Sequence, residues 1–418
     1  MNTIFEDVKA LCTAAKSAAP VLALQTVGKR NRALRVMAGR LMAACDDILE
    51  ANQKDLSNAA SNGVPKVMMD RLRLTRERIV DMANAMVELI ALDDPLGVTK
   101  TFTRPSGITV KETRVPLGVV AIIFEARPNV TADAAAIAIK SGNAMILRGG
   151  KEAIESNRAI VAALRRGLEA EGLSPDLIGL VGSTDRESAN ALMQMRGLVD
   201  VLIPRGGKGL IRSCVENAKV PVIETGAGNC HVYVDKEADP DKALRVCVNA
   251  KCQRPSVCNA AETLLVHRDM AATFLPAFYA ATREWGLELR GDQATCALLP
   301  EALPVTEEDY ATEYNDYIMT VKIVDGVEEA IDHINRYGTR HSEAILTENS
   351  DTAMRFCGMV DAAAVYHNAS TRFTDGGEFG LGAEIGISTQ KLHARGPMGL
   401  SALTTVKYMV SGDGAIRQ

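Results

Sequence analysis

Over the first ninety-five residues apolar positions recur at helical spacing, for example Leu34, Met37, Leu41, Met42 and Ile48. That period predicts helices, broken by loops near 61–65 and 93–97. The pattern changes at 101–114, where β-branched residues return around the turn Pro105-Ser106-Gly107 and predict a hairpin. From Pro116 a single pattern repeats. Uninterrupted apolar runs at 119–124, 144–147, 177–181 and 199–203 read as buried strands. They alternate with helical stretches at 131–140, 152–171, 185–195 and 210–218. In 152–171 a stripe of Ile154, Val161, Leu164 and Leu168 marks the buried face. Further strands are predicted at 221–224 and 231–234. Strand alternating with helix is the pattern of parallel βαβ units, so a doubly wound sheet of about four or five strands is expected, an architecture that commonly holds nucleotides.

A second α/β stretch follows Asp239. Helices are predicted near 241–251, just after Cys258 and at 270–284, with strands at 262–266, 317–324, 344–346 and 363–366. The segment 374–386 is a Gly-rich loop, and 404–410 is strand-like. The expected organisation is 1–100 with 115–235 as a cofactor domain and 236–375 as a catalytic domain. The pieces 101–114 and 400–418 form an oligomerisation hairpin and tail, and 376–399 is a return loop.

Composition narrows the function. The 418 residues are 47% hydrophobic and 24% charged, which is globular composition for a chain long enough to bury a large core. Lys and Arg number 47 against 52 Asp and Glu, a net charge of −5, which disfavours nucleic acid or an anionic membrane as partner. No apolar run approaches the ~18–20 residues of a membrane helix, and the first residues do not read as a signal peptide. Nine scattered cysteines are then best read as thiols of a reducing cytoplasm, and without CxxC or HExxH no metal site is expected.

Four segments carry chemistry. Strands 144–147 and 201–204 each run into Arg-Gly-Gly-Lys and then a helix, giving Arg148-Gly149-Gly150-Lys151 and Arg205-Gly206-Gly207-Lys208. Glycines admit backbone N–H groups, a helix N-terminus adds partial positive charge and the basic side chains add full charges, which suits a phosphate. The plainer alternative is a tight turn with solvated charges. In Lys251–Ala261, Pro255 and Ser256 are helix-start signals that put Cys258 in a first turn, where the dipole, Arg254 and Lys251 favour a thiolate. The alternative is an inert buried cysteine. Asn129, after Arg127-Pro128 at the carboxyl end of a strand, is placed to donate to an oxyanion, or else is a turn residue. Glu224 is delivered to the bend Thr225–Gly228 as a general base or polar wall, or as a simple strand end.

In order along the chain these segments resemble the aldehyde dehydrogenase superfamily over nearly its whole length. Pro116–Val120, Arg127–Thr131, Ser141–Ala144, Glu224–His231 and Leu392–Gly399 are similar to the branch that reduces L-glutamyl 5-phosphate in proline biosynthesis. The resemblance implies an α/β aldehyde-dehydrogenase-like fold, with a Rossmann-like doubly wound cofactor domain, a second α/β catalytic domain and a small β oligomerisation element. It implies Cys258 as the nucleophile, and Asn129 with the Cys258 N–H as oxyanion donors. Glu224 falls on the glutamate that activates water in hydrolysing relatives; with no water attack needed, it is expected to shape the site or touch the cofactor. Glu313 falls on the glutamate that holds the nicotinamide ribose, and Ser370, Thr371 and Arg372 fall on substrate-binding positions, Arg372 for the α-carboxylate. The general family has Lys-Pro-Ser where this chain has Arg148-Gly149-Gly150, and no carboxylate follows for a 2′-hydroxyl. Arg148 and Lys151 favour a 2′-phosphate, hence NADPH. A cytoplasmic homo-oligomer, associated with the glutamate 5-kinase that supplies the acyl phosphate, completes the expectation. Another acylating dehydrogenase, or a non-catalytic nucleotide-binding homologue, are the alternatives.

Overall fold

The computed structural model describes residues 3–64 and 66–417, with the backbone alone for Lys66, Val67 and Lys208. Pro65, the end of the loop predicted at 61–65, lies outside the described residues, as do Met1, Asn2 and Gln418 of the first and last predicted spans. The chain divides into two compact units, residues 3–225, 380–386 and 398–417 against 226–379 and 387–397.

The first unit opens with α1 (Thr3–Ala23), α2 (Val27–Ala43), α3 (Cys45–Ser61), α4 (Lys66–Leu72) and α5 (Arg76–Ala91). The predicted stripe is buried at Leu34, Met37, Leu41 and Ile48, whereas Met42 turns outward. The hairpin is longer than its sequence signal. Strands β1 (Gly97–Thr103) and β2 (Thr109–Pro116) pair antiparallel, and β16 (Thr404–Ser411) adds to β2 from the far end of the chain.

The parallel sheet comprises β3 (Val119–Phe124), β4 (Ala144–Arg148), β5 (Ile178–Leu180) and β6 (Val201–Arg205) in the order β5-β4-β3-β6. The connecting helices are α6 (Asn129–Lys140), α7 (Ile154–Ala170) and α8 (Arg186–Met193), and α9 (Lys208–Asn217) follows β6. All six residues of β3 are buried, each large apolar side chain contributing about 1.5–3 kcal/mol. The chain winds outward from β3 to β5 and then returns to β3's other side as β6, so the switch point lies between β3 and β6. Ligands of open α/β sheets bind beyond the carboxyl ends of the strands at such a point. Here those ends are Glu125 and Arg205.

Two buried polar anchors hold this unit's helices. Lys140, fully buried at the end of α6, donates from Nζ to Asn31 Oδ1 at 2.9 Å and to the Leu92 carbonyl at 2.9 Å. The α3 residue Asp55 caps α7, accepting from the N–H of Glu155 at 3.2 Å and of Ser156 at 2.8 Å. Such a cap satisfies N–H groups that have no partner within the helix.

Two strand predictions are corrected. Residues 221–224 form only an isolated bridge, Val222 to Leu202, because Pro221 has no N–H to donate. The strand predicted at 231–234 exists as β7 (Cys230–Val234) but belongs to the second unit. A buried strand run does not reveal which sheet receives it.

That second sheet is entirely parallel, in the order β10-β9-β11-β8-β7-β12-β13. Its strands are β7, β8 (Ala261–His267), β9 (Glu288–Gly291), β10 (Leu303–Pro304), β11 (Ile318–Val324), β12 (Ser342–Leu346) and β13 (Ala364–His367). Helices α10 (Pro240–Cys252), α11 (Arg268–Thr282), α12 (Gln293–Leu298), α13 (Val327–Tyr337) and α14 (Ser350–Met359) complete the unit, with the ribbon β14 (Ile387–Ser388) and β15 (Gly396–Pro397). Within it Lys251 at the end of α10 and Glu262 in β8 form an ion pair of 2.6 Å with both side chains sealed from solvent. Burial pushes the Glu262 carboxyl up to about 7 against the pull of Lys251.

Breaking one partner of a buried pair strands the other charge, at a cost of about 3–5 kcal/mol, whereas apolar replacement of both is often neutral. Glu262→Gln therefore lowers unfolding free energy in urea by about that amount, and Lys251→Met/Glu262→Leu loses much less. Equal losses in the two variants contradict the assignment.

Candidate active site

In the second unit the nucleophile candidate sits between α10 and β8 in a tight turn closed by the Ala260 N–H on the Val257 carbonyl at 3.0 Å. The helix predicted after Cys258 does not form. The chain is extended from Ala261, whose register partner is Cys230 on β7, so the segment has room only for a turn. Cys258 therefore does not stand in the first turn of a helix, and Lys251 is committed to Glu262.

Four contacts fix this turn. A Cβ on Gly228 would coincide with the Cys258 carbonyl oxygen, so only glycine fits opposite this turn. The Gly228 N–H donates to Glu313 Oε1 at 2.7 Å, which places the carboxylate assigned to a cofactor ribose against the glycine bend. The Cys230 thiol donates to the same Cys258 carbonyl at 3.2 Å, and its sulfur lies 3.7 Å from His341 Nδ1. Burial pushes the Cys230 thiol well up, with the Glu343 and Cys258 charges adding to it, so Cys230 stays a donor rather than a second thiolate. Behind it Ser342, Thr374 and Tyr366 continue a hydroxyl chain, Ser342 to Thr374 at 2.6 Å and Tyr366 to Thr374 at 2.6 Å.

The positions that the resemblance puts at the substrate carry contacts to and beside this turn. Thr371 is fully buried and donates to the Asn259 carbonyl at 2.7 Å. The buried Ser370 hydroxyl accepts from the Arg372 N–H at 3.3 Å. Arg372 donates from Nε to Gln253 Oε1 at 2.9 Å and from Nη1 to Asn259 Oδ1, bracing both ends of the segment that carries Cys258. Burial lowers the Arg372 pKa, and Arg254 lowers it further, while Cys258 and Asp375 oppose the shift.

In the first unit the two Arg-Gly-Gly-Lys turns are not equivalent. At the β4 turn Arg148 donates to the carbonyls of Thr184 at 2.7 Å and Asp185 at 3.0 Å, bracing the entry to α8. The α7 amides beyond it are already taken by Asp55. Lys151 remains exposed. A Cβ on Gly149 would collide with Asn157 Nδ2, a fully buried amide nitrogen that has no hydrogen-bond partner among the described residues. At the β6 turn Gly207 is exposed and α9 begins with no side-chain cap from its own N-cap residue. The Glu125 carboxylate accepts the Gly207 N–H at 3.0 Å, and a Cβ on Gly206 would run into that carboxylate. The cradle at the switch point thus already binds an anion, and a diphosphate fits its donor set. Glu224 is half-buried just beyond the Val222 bridge.

Asn129 is the first residue of α6 and exposed; its Nδ2 donates to Asp133 Oδ2 at 3.1 Å. This orients the amide with its nitrogen toward the carboxylate and leaves its second N–H for another acceptor. Burial pushes Asp133 up to about 6, against the pulls of Asn129 and Arg205. Glu125, Asp133, Cys230 and Asn259 were not singled out from sequence. Glu125 and Asp133 flank Asn129 in the segment that drew attention, but only the strand ends and helix turn bring them into contact.

Residues 3–297 match the model of the aldehyde dehydrogenase family. The chain is 53% identical over 412 residues, 98% of its length and 99% of the relative's, to a γ-glutamyl phosphate reductase of Enterococcus faecalis. The crystal structure of γ-glutamyl phosphate reductase from Thermotoga maritima superposes with a TM-score of 0.96 at 46% identity, covering 98% of this chain and 100% of that one. An engineered glycolyl-CoA reductase with bound NADP⁺ shares the fold at a TM-score of 0.70 and 16% identity, covering 97% of this chain and 96% of that one. With the Cys258 turn and the β3/β6 cradle as its two built features, the chain belongs to the aldehyde dehydrogenase family, in the branch of the γ-glutamyl phosphate reductases.

Proposed function

We propose that the chain reduces L-glutamyl 5-phosphate to L-glutamate 5-semialdehyde and phosphate with NADPH, a step of proline biosynthesis, through a thioester on Cys258. The observation that carries this reading is the Cys258 turn itself, locked by Gly228, Cys230 and Arg372, in a chain matched end to end by γ-glutamyl phosphate reductases. The Cys258 sulfur attacks the γ-carbonyl carbon, the C–O bond to phosphate breaks, and phosphate leaves with the bonding electrons. Asn129 and the Cys258 N–H donate to the oxygen that gains charge, each such donor being worth about 2.7–4 kcal/mol. Dividing the reaction at a covalent stage replaces one difficult step by two easier ones. When bound, the reduced nicotinamide supplies the hydride that takes the acyl carbon to the aldehyde level. Cys258 then departs with the S–C electron pair as the semialdehyde forms.

The residues proposed for the cofactor are Gly206 and Gly207 with Arg205 for the diphosphate, Lys151 with the turn Arg148–Gly150 for the 2′-phosphate, and Glu224 and Glu313 at its nicotinamide end. The Arg372 bracing contacts support a role in holding the nucleophile beside that of a carboxylate partner. A cytoplasmic homo-oligomer joined through the β1-β2-β16 sheet is supported by the exposed Phe102, Tyr408, Met409 and Val410, and association with glutamate 5-kinase by the lability of the acyl phosphate. Among the described residues no helix is long and apolar enough to cross a membrane.

Cys258→Ser lowers NADPH oxidation with glutamyl phosphate by on the order of 10³-fold or more, and activity near wild type contradicts the nucleophile. The pH profile of the reverse reaction carries an acid limb near 6, where Asp133 gains a proton and its hold on Asn129 weakens. In Asp133→Asn that limb disappears while kcat falls more than KM changes. Stability moves the opposite way, because a carboxyl whose pKa is raised in the fold favours the folded state when protonated and loses that contribution as pH rises through about 6. Lys151→Ala weakens NADPH binding, measured by fluorescence titration, by about 5- to 10-fold but leaves NADH binding nearly unchanged. An equal effect on both removes Lys151 from the 2′-phosphate.

A further inference from the structure

We propose that Glu125 is an internal occupant of the cofactor's diphosphate cradle, and that binding the dinucleotide displaces its carboxylate from the α9 amide. This rests on the reading of the β6 turn as the diphosphate site.

The residue is placed for that role by the sheet. Phe124 is in register with Arg205, and the ladder continues one step beyond it through the Glu125 N–H on the Arg205 carbonyl at 3.3 Å. Glu125 therefore stands at the carboxyl end of β3, on the switch-point side. The next residue, Ala126, is buried with φ +20°, a conformation unusual for a residue with a side chain, and it turns the chain sharply after Glu125. Oε2 then reaches the Gly207 N–H at 3.0 Å. A Cβ on Gly150 would lie 3.5 Å from the Glu125 Cα, so Glu125 stands between the two Arg-Gly-Gly-Lys turns.

The contact is exchangeable by construction. Glu125 and Gly207 are both exposed, so no burial holds the carboxylate in place. At α7 the N-terminal amides are held by the largely buried Asp55, which also takes the Ser156 hydroxyl at 2.6 Å and has no route to release them. At α9 the cap is a surface glutamate on the neighbouring strand end. A helix N-terminus favours any anion, and a dinucleotide diphosphate and the Glu125 carboxylate compete for the same amide and the same positive end of the dipole. Two anions cannot share one N–H at hydrogen-bond distance. The carboxylate thus satisfies the amide of the empty enzyme and lowers affinity for oxidised and reduced dinucleotide alike, which aids cofactor release after each turnover.

Glu125→Gln keeps the shape and an acceptor for the Gly207 N–H while removing the charge. Titration of the full chain with NADPH, followed by nucleotide fluorescence without substrate, is expected to give about a two- to fivefold tighter Kd for this variant. Inorganic diphosphate is expected to displace NADPH from it at correspondingly lower concentration. Glu125→Ala, which also removes the acceptor, shifts in the same direction. An unchanged or weaker Kd in both variants overturns the proposal. Lys151→Ala in the same assay separates the two levels: if it weakens NADPH binding while Glu125→Gln does not tighten it, the displacement is wrong and the cofactor site stands. If neither variant changes the Kd, both fall.

Discussion

One steric interlock governs the Cys258 turn: the carbonyl oxygen of Cys258 occupies the place where residue 228 would carry its side chain. Any other residue at 228 would drive the turn outward, so the bend and the Cys258 turn form a single object. The surrounding contacts exploit this. Glu313 fixes the Gly228 amide, Cys230 donates to the captive carbonyl, and Arg372 braces both shoulders of the turn. Catalysis that depends on a sulfur atom and its own N–H acting together needs such rigidity, because a displacement of about 1 Å costs on the order of 10²-fold in rate.

Charge is managed by the same economy. The buried thiol at Cys230 is kept protonated, Lys251 and Glu262 neutralise one another below the turn, and burial moves the His231 imidazole down to about 3. In the first unit, at the β3/β6 switch point, the start of α9 is capped only by the exposed Glu125, while its twin at α7 is sealed by the buried Asp55. Two identical four-residue motifs thus acquire different capacities from neighbours far away in sequence.

The regular elements were legible because their signals are local. Val119–Phe124 reads as a buried strand and is one, and the alternation of strand and helix fixes the βαβ architecture. The hinge residues of the account were legible only as types. Cys258, Asn129 and the glycine turns announce chemistry, but whether Cys258 begins a helix depends on β8 pairing with β7, a non-local fact. The strand at 231–234 was visible while its sheet was not, since every buried strand presents the same apolar run. Thr371 and Ser370 fall on substrate-binding positions by resemblance; no sequence signal showed that Thr371 is buried and donates to the Asn259 carbonyl. Asp55 gave no signal and Glu125 only its place at a strand end ahead of Asn129, because a cap delivered from another element has no sequence period.

The account stands on Cys258 carrying the acyl group. Incubating the full chain with glutamate semialdehyde and NADP⁺ in phosphate-free buffer, then quenching in acid and mapping peptides by mass spectrometry, reads that step directly. A glutamyl adduct is expected on Cys258 and disappears when phosphate is restored. NADP⁺ reduction with no adduct at Cys258, or with the acyl group on another of the nine cysteines, would contradict it.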